Sequence, residues 1–124
     1  MRNRLVSYRF FREGEVVLLR ECAGASTRIS HGPSLKRRNH SPTGFGFGYG
    51  GSGAAQLALA ILLDFLQNAE EALSLYQDFK WQFIANSPDA GRKITAGDIL
   101  AFRDTRVVLR AGQLPERPAR SFEN

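Results

Sequence analysis

The sequence predicts an α+β domain: an N-terminal antiparallel sheet packed on an αα-hairpin, with a further short helix. Three observations predict it. Two β-prone apolar runs lie at the N-terminus on either side of a glycine-containing turn. A nearly unbroken apolar helical run, Ala54–Leu66, follows a glycine-rich loop. A capping signal, Asn68-Ala69-Glu70-Glu71, then opens a second helical run directly after the first.

The strands read as Leu5–Phe11 and Glu15–Glu21, joined through Arg12-Glu13-Gly14. Tyr8, Phe10 and Phe11, then Val16, Val17, Leu18 and Leu19, suit a pleated and partly buried surface. The second run is continuously apolar rather than alternating, so one or both of its faces are expected to be covered. Ser26–Ser30 offers room for a third short strand. Lys36-Arg37-Arg38 is a basic triplet just ahead of the glycine loop.

The first long helix is expected from Ser52 or Gly53 to Leu66, with Ser52 as a suitable N-cap. Gln56, Ala60, Asp64 and Gln67 fall on one narrow strip, and apolar residues cover the rest, the pattern of a buried helix. Leu59, Leu62, Leu63 and Phe65 are expected in the core, facing Tyr76, Phe79 and Phe83 of the next helix. That helix should end near Asn86-Ser87-Pro88. Thr95-Ala96-Gly97-Asp98 resembles another cap, opening a short helix through Ile99, Leu100 and Phe102. Arg106–Arg110 reads as a last strand or a helical continuation. The expected division is one domain over residues 1–104 and a C-terminal segment, 105–124, partly extended or frayed.

Composition narrows the function classes. With 124 residues, 43% of them hydrophobic, the chain has enough apolar content for a core without staples. A single cysteine, Cys22, excludes an intrachain disulfide framework. The N-terminus lacks an uninterrupted apolar stretch, and Ala54–Leu66 is shorter than the roughly 20 residues a membrane span needs. No membrane partner and a cytoplasmic setting are the resulting expectations. The net charge of +5 is uneven: +6 over residues 1–51, −4 over 52–90 and +3 over 91–124. Basic flanks of this kind permit an acidic protein or a nucleic acid as partner.

The glycine loop Gly44–Gly53 is the strongest candidate for chemistry. Where such a loop empties onto a helix N-terminus, unpaired N–H groups can hold an anion, which here points to Gly50, Gly51, Ser52 and Gly53. The loop matches neither the phosphate-binding lysine motif nor the dinucleotide fingerprint. The competing reading is structural, with Phe45, Phe47 and Tyr49 filling core pockets while the glycines permit close packing. A second candidate is a partner-binding surface formed by Lys36, Arg37, Arg38, His40 and Trp81. Trp81 either packs beneath the C-terminal segment or stands exposed as an interface anchor. No metal site is expected, because His31, His40 and Cys22 have no zinc-like spacing. No catalytic constellation is expected either, since Ser41 merely neighbours His40 and Cys22 lacks an activator. Asp64, Glu70, Glu71 and Asp78 read as capping and solvated-face residues. No cofactor is implied.

Arg38-Asn39-His40-Ser41-Pro42-Thr43-Gly44-Phe45, Gly48-Tyr49-Gly50-Gly51-Ser52-Gly53, Gln56-Leu57-Ala58-Leu59-Ala60 and Leu75–Trp81 together resemble a small uncharacterised domain family of bacteria, phages and mobile elements. The resemblance spans roughly residues 5–102. Ala54 departs from the proline expected at the first helical turn, which reduces pre-organisation of the helix start. No functional residue transfers, because the family carries no established activity. Its setting implies a phage–host role, such as an anti-CRISPR-like inhibitor of a host defence nucleoprotein, for example a CRISPR effector. The leading expectation is thus a non-enzymatic binding module. The alternative is a small-molecule or nucleotide-phosphate site at the glycine loop.

Overall fold

A computed structural model describes residues 5–113 of the chain. Strands β1 (Val6–Glu13) and β2 (Glu15–Cys22) form an antiparallel hairpin that turns at Gly14. Strand β3 (Ala25–Arg28) pairs with β2, and β4 (Arg92–Thr95) returns to pair with the far side of β1. The resulting antiparallel sheet has the order β3-β2-β1-β4. Among the described residues, four α-helices complete the fold: α1 (Gly32–Arg37), α2 (Ser52–Leu66), α3 (Ala69–Phe79) and α4 (Ala96–Gln113).

Register explains which sheet face is covered. Tyr8 lies opposite both Arg20 and Ile94, and Phe10 opposite Leu18 and Arg92, so these side chains share one face. Tyr8, Phe10, Leu18 and Ile94 are buried there against the helices. On the other face, Arg9 pairs with Glu21 at 2.9 Å and lies over the half-buried Phe11 ring. The apolar continuity of β2 thus reflects one face in the core and one shielded by its neighbours.

Helix α2 is the centre of the core, as its all-round apolar pattern predicts. Leu59, Leu62 and Phe65 are buried on it, and Tyr76, Phe79 and Phe83 are buried in the same cluster, while Leu63 is half-buried at the edge. A part-buried carboxylate joins α2 to the sheet. Asp64 accepts hydrogen bonds from the Tyr8 hydroxyl at 2.6 Å and from Arg20 Nη1 at 2.8 Å. Burial, then the Asp64 hydrogen bond and charge, push the Tyr8 phenol above its ordinary range, against the opposing Arg20 charge. Asp64 is therefore a tertiary anchor rather than a solvated-face residue.

Local signals set most boundaries. The Asn68 side chain accepts the Glu71 N–H at 3.0 Å, the expected cap of α3. Thr95 and Asp98 cap reciprocally: Thr95 N–H donates to Asp98 Oδ2, and Asp98 N–H donates to Thr95 Oγ1. Helix α2 begins at Ser52, but its N-cap is Gly51, with no side-chain cap bond.

The structure adds elements that local patterning missed. Pro33 sits in the first turn of the short helix α1, which no sequence signal predicts and which carries Lys36 and Arg37 in its last turn. Edge strand β4, four residues long, is too short to show a period. Past Phe79, α3 widens into a π-turn, Lys80–Ile84. The final helix is long rather than short: Arg106–Arg110 continues α4, so residues 105–113 are helical and not extended. The remainder of the expected C-terminal segment, 114–124, lies outside the described residues. Phe102 places α4 against the end of α3 and the π-turn through edge-on contacts with Phe79 and Phe83, and Arg103 forms an ion pair with Glu71.

Candidate functional site

The segment that carries the basic triplet is held by one buried amide. Gln56, 0% exposed in the second turn of α2, uses all four of its hydrogen-bonding positions. Its Oε1 accepts the backbone N–H groups of His40 at 2.7 Å and Ser41 at 2.9 Å. Its Nε2 donates to Ser34 Oγ and to the Arg38 carbonyl, both at 2.9 Å. An amide buried among leucines and alanines is stable only when fully paired, so the segment 34–41 must lie against it. The His40 ring is fixed as well, since its Nε2 shares a 2.6 Å hydrogen bond with the buried Tyr76 hydroxyl. Burial, then the charges of Arg38 and Lys80, hold the His40 imidazole below its ordinary value.

Two aromatic rings cover the glycine loop. Gly48 takes φ +86°, a conformation that side chains resist, and its N–H donates to Ile84 O at the end of the π-turn. Gly50 has an ordinary φ but no space, because a Cβ there would collide with the Trp81 ring. Lys80, only 7% exposed, donates its ammonium to the Gly50 carbonyl at 3.0 Å and lies 4.4 Å from the Trp81 ring centroid. The Tyr49 ring lies against Gly46, Gly51 and Gly53. Phe47 is fully buried, Phe45 is half-buried, and Tyr49 and Trp81 remain 50% and 60% exposed.

These contacts separate the residues singled out in the sequence. Gly50 and Gly51 underlie the two rings, Ser52 is exposed on the first turn of α2, and Gly53 is buried beneath Gly46 and Tyr49. A side chain added at Gly50, Gly51 or Gly53 would therefore meet the protein's own aromatics. Among the partner-surface residues, Arg38 and His40 sit beside the second turn of α2, at Gln56, and Trp81 sits at its N-terminal end. Lys36 and Arg37 line a groove of about 590 Å³ at its C-terminal end, together with Leu63, Gln67 and Asn68. The 15 residues of α2 span about 22 Å at a rise of about 1.5 Å each, so Trp81 and the Lys36–Arg37 groove are distinct surfaces.

Lys36, Arg37 and Arg38 are exposed and form no ion pair among the described residues. By contrast, Arg9, Arg12, Arg20, Arg28, Arg103 and Arg106 each face a carboxylate. Sequence reasoning missed Gln56 and Lys80 as organising residues. For Gln56 the legible signal was its place on the one polar strip of a helix otherwise apolar all round, since a polar side chain on a buried helix demands a partner.

The fold and this surface define a small α+β domain in which no helix of the described residues is long and apolar enough to cross a membrane. The chain belongs to the family of unknown function DUF6166, whose model matches residues 8–105. That span contains all of the hairpin but its first two residues, the Gln56-held segment and the glycine loop. No curated protein and no solved structure matches the chain.

Proposed function

We propose that the domain is a non-enzymatic binding module whose partner carries negative charge and docks on the exposed end of α1. The observation that supports this reading is the triplet Lys36, Arg37 and Arg38, three consecutive exposed cations without an ion pair among the described residues, whereas Arg9, Arg12, Arg20, Arg28, Arg103 and Arg106 each face a carboxylate and Arg92 donates to Phe83 O and Asn86. Three adjacent cations repel one another, and an anionic partner relieves that repulsion. Gln56 holds the chain on both sides of the triplet, through Ser34 Oγ and the Arg38 carbonyl, so little backbone ordering cost falls on association. A host defence nucleoprotein, including a CRISPR effector, is a narrower form of this partner and rests only on the setting of the family resemblance. The small-molecule reading of the glycine loop has less support, because Tyr49 and Trp81 lie against that backbone.

The test is titration with polyglutamate and with an oligothymidylate strand at low and moderate salt. Binding should weaken steeply with salt and should weaken further in the Arg37→Ala, Arg38→Ala double variant, with a flatter salt slope. Binding that ignores both salt and the double change would exclude this face and redirect attention to Tyr49 and Trp81.

A further inference from the structure

We infer that the groove between α1 and the α2–α3 junction takes an acidic protein segment that buries one apolar side chain beside Lys36 and Arg37. This rests on the charged-partner reading above and names the class of partner. The groove opens beside a smaller cavity of about 180 Å³, and the two share Pro33, Leu63 and Gln67. Ile29 and Ala60 add apolar surface to the smaller cavity.

The polar groups around both cavities are largely committed. Asn68 Oδ1 caps α3, Gln67 Nε2 donates to Asp64 O at 2.6 Å, and the Asp64 carboxylate is engaged by Tyr8 and Arg20. Lys36 and Arg37 are left as the cationic donors on the larger groove, whose lining contains no carboxylate. An apolar floor beneath unpaired cations complements a carboxylate-bearing segment with an aliphatic anchor. A nucleic-acid strand would instead favour exposed rings for base stacking. No aromatic side chain lines either cavity, and the exposed rings Tyr49 and Trp81 lie at the other end of α2.

The experiment follows backbone amide chemical shifts of the full chain during titration with three probes. These are a short glutamate-rich peptide with one central leucine, the same peptide with serine in that place, and an oligothymidylate strand. Shifts should concentrate at Ala60, Leu63 and Asn68–Ala69, and the serine peptide should bind about tenfold more weakly because the anchor is lost. Ala69→Glu places a carboxylate on the groove lining, in the first turn of α3 where acids are favourable, and should abolish peptide binding without lowering the melting temperature. Lys36→Glu with Arg37→Glu, both exposed sites, is the second variant and should have the same effect on binding. Equal affinity for the two peptides, tighter binding of oligothymidylate, or shifts centred on Tyr49 and Trp81 would overturn the inference. In the oligothymidylate case the charged-partner reading survives. Failure of all three probes to bind would overturn both.

Discussion

Gln56 holds His40 by its backbone: Oε1 on α2 accepts the His40 N–H at 2.7 Å, across a sequence separation of 16 residues. The same amide engages Ser34, Arg38 and Ser41, so a single side chain sets the course of the chain from α1 toward the glycine loop.

Gln56→Leu is therefore expected to destabilise the domain by about 2–4 kcal/mol, because backbone donors and an acceptor lose their partner while the shape is roughly kept. Gln56→Glu keeps the two acceptor contacts but forfeits both donor contacts, so it should also destabilise. Urea denaturation checks both variants. A change within about 0.5 kcal/mol for Gln56→Leu would show that water replaces these bonds at little cost.

The environment of His40 gives a pH dependence with a defined sign. Its pKa in the fold is lowered below the ordinary 6.5, so the unfolded chain binds the proton more readily. The contribution to stability is present above pH 6.5 and is lost as pH falls through the lowered folded value. A His40 ring titration followed by NMR should give a midpoint below 6.5, and His40→Gln should remove that part of the stability slope. A midpoint at or above 6.5 would contradict the arrangement.

The glycine loop offers a coupled pair. Gly50→Ala should destabilise the domain because the new methyl meets the Trp81 ring, and Trp81→Ala in the same chain should relieve much of that loss. Gly48→Ala differs, since its cost comes from backbone strain at φ +86° and should persist without Trp81. Melting temperatures of the singles and doubles decide the matter. Strictly additive effects of Gly50→Ala and Trp81→Ala would mean that the ring does not confine Gly50.

Leu62 is fully buried on α2, so Leu62→Ala should cost about 2–5 kcal/mol, the transfer free energy plus the cavity left behind. Chemical denaturation gives the value directly. A near-neutral result would contradict the placement of α2 at the centre of the core.

The hairpin, α2 and the start of α3 were legible because their signals are local. β-prone runs flank Gly14, an apolar run fills α2, and Asn68 caps the backbone three residues on. Helix α1 and strand β4 were not legible. They are short, and each is stabilised by a distant element: α1 by Gln56 through Ser34, and β4 by its pairing with β1. The extent of α4 was open for a related reason, since its register depends on Phe102 meeting Phe79 and Phe83.

The candidate surfaces divide along the same line. By itself, the sequence determined the α+β class, the buried character of α2, and the presence of a basic triplet beside a glycine-rich loop, because composition, periodicity and capping chemistry act over a few residues. Only the tertiary structure decided that Gln56 anchors the chain at Arg38 and His40, that Tyr49 and Trp81 cover the glycines, and that Lys36 and Arg37 border a groove at the far end of α2. Those outcomes depend on which buried polar group finds a partner and which cation is left without one. Both are settled by contacts between segments far apart in the chain, where local patterning carries no information.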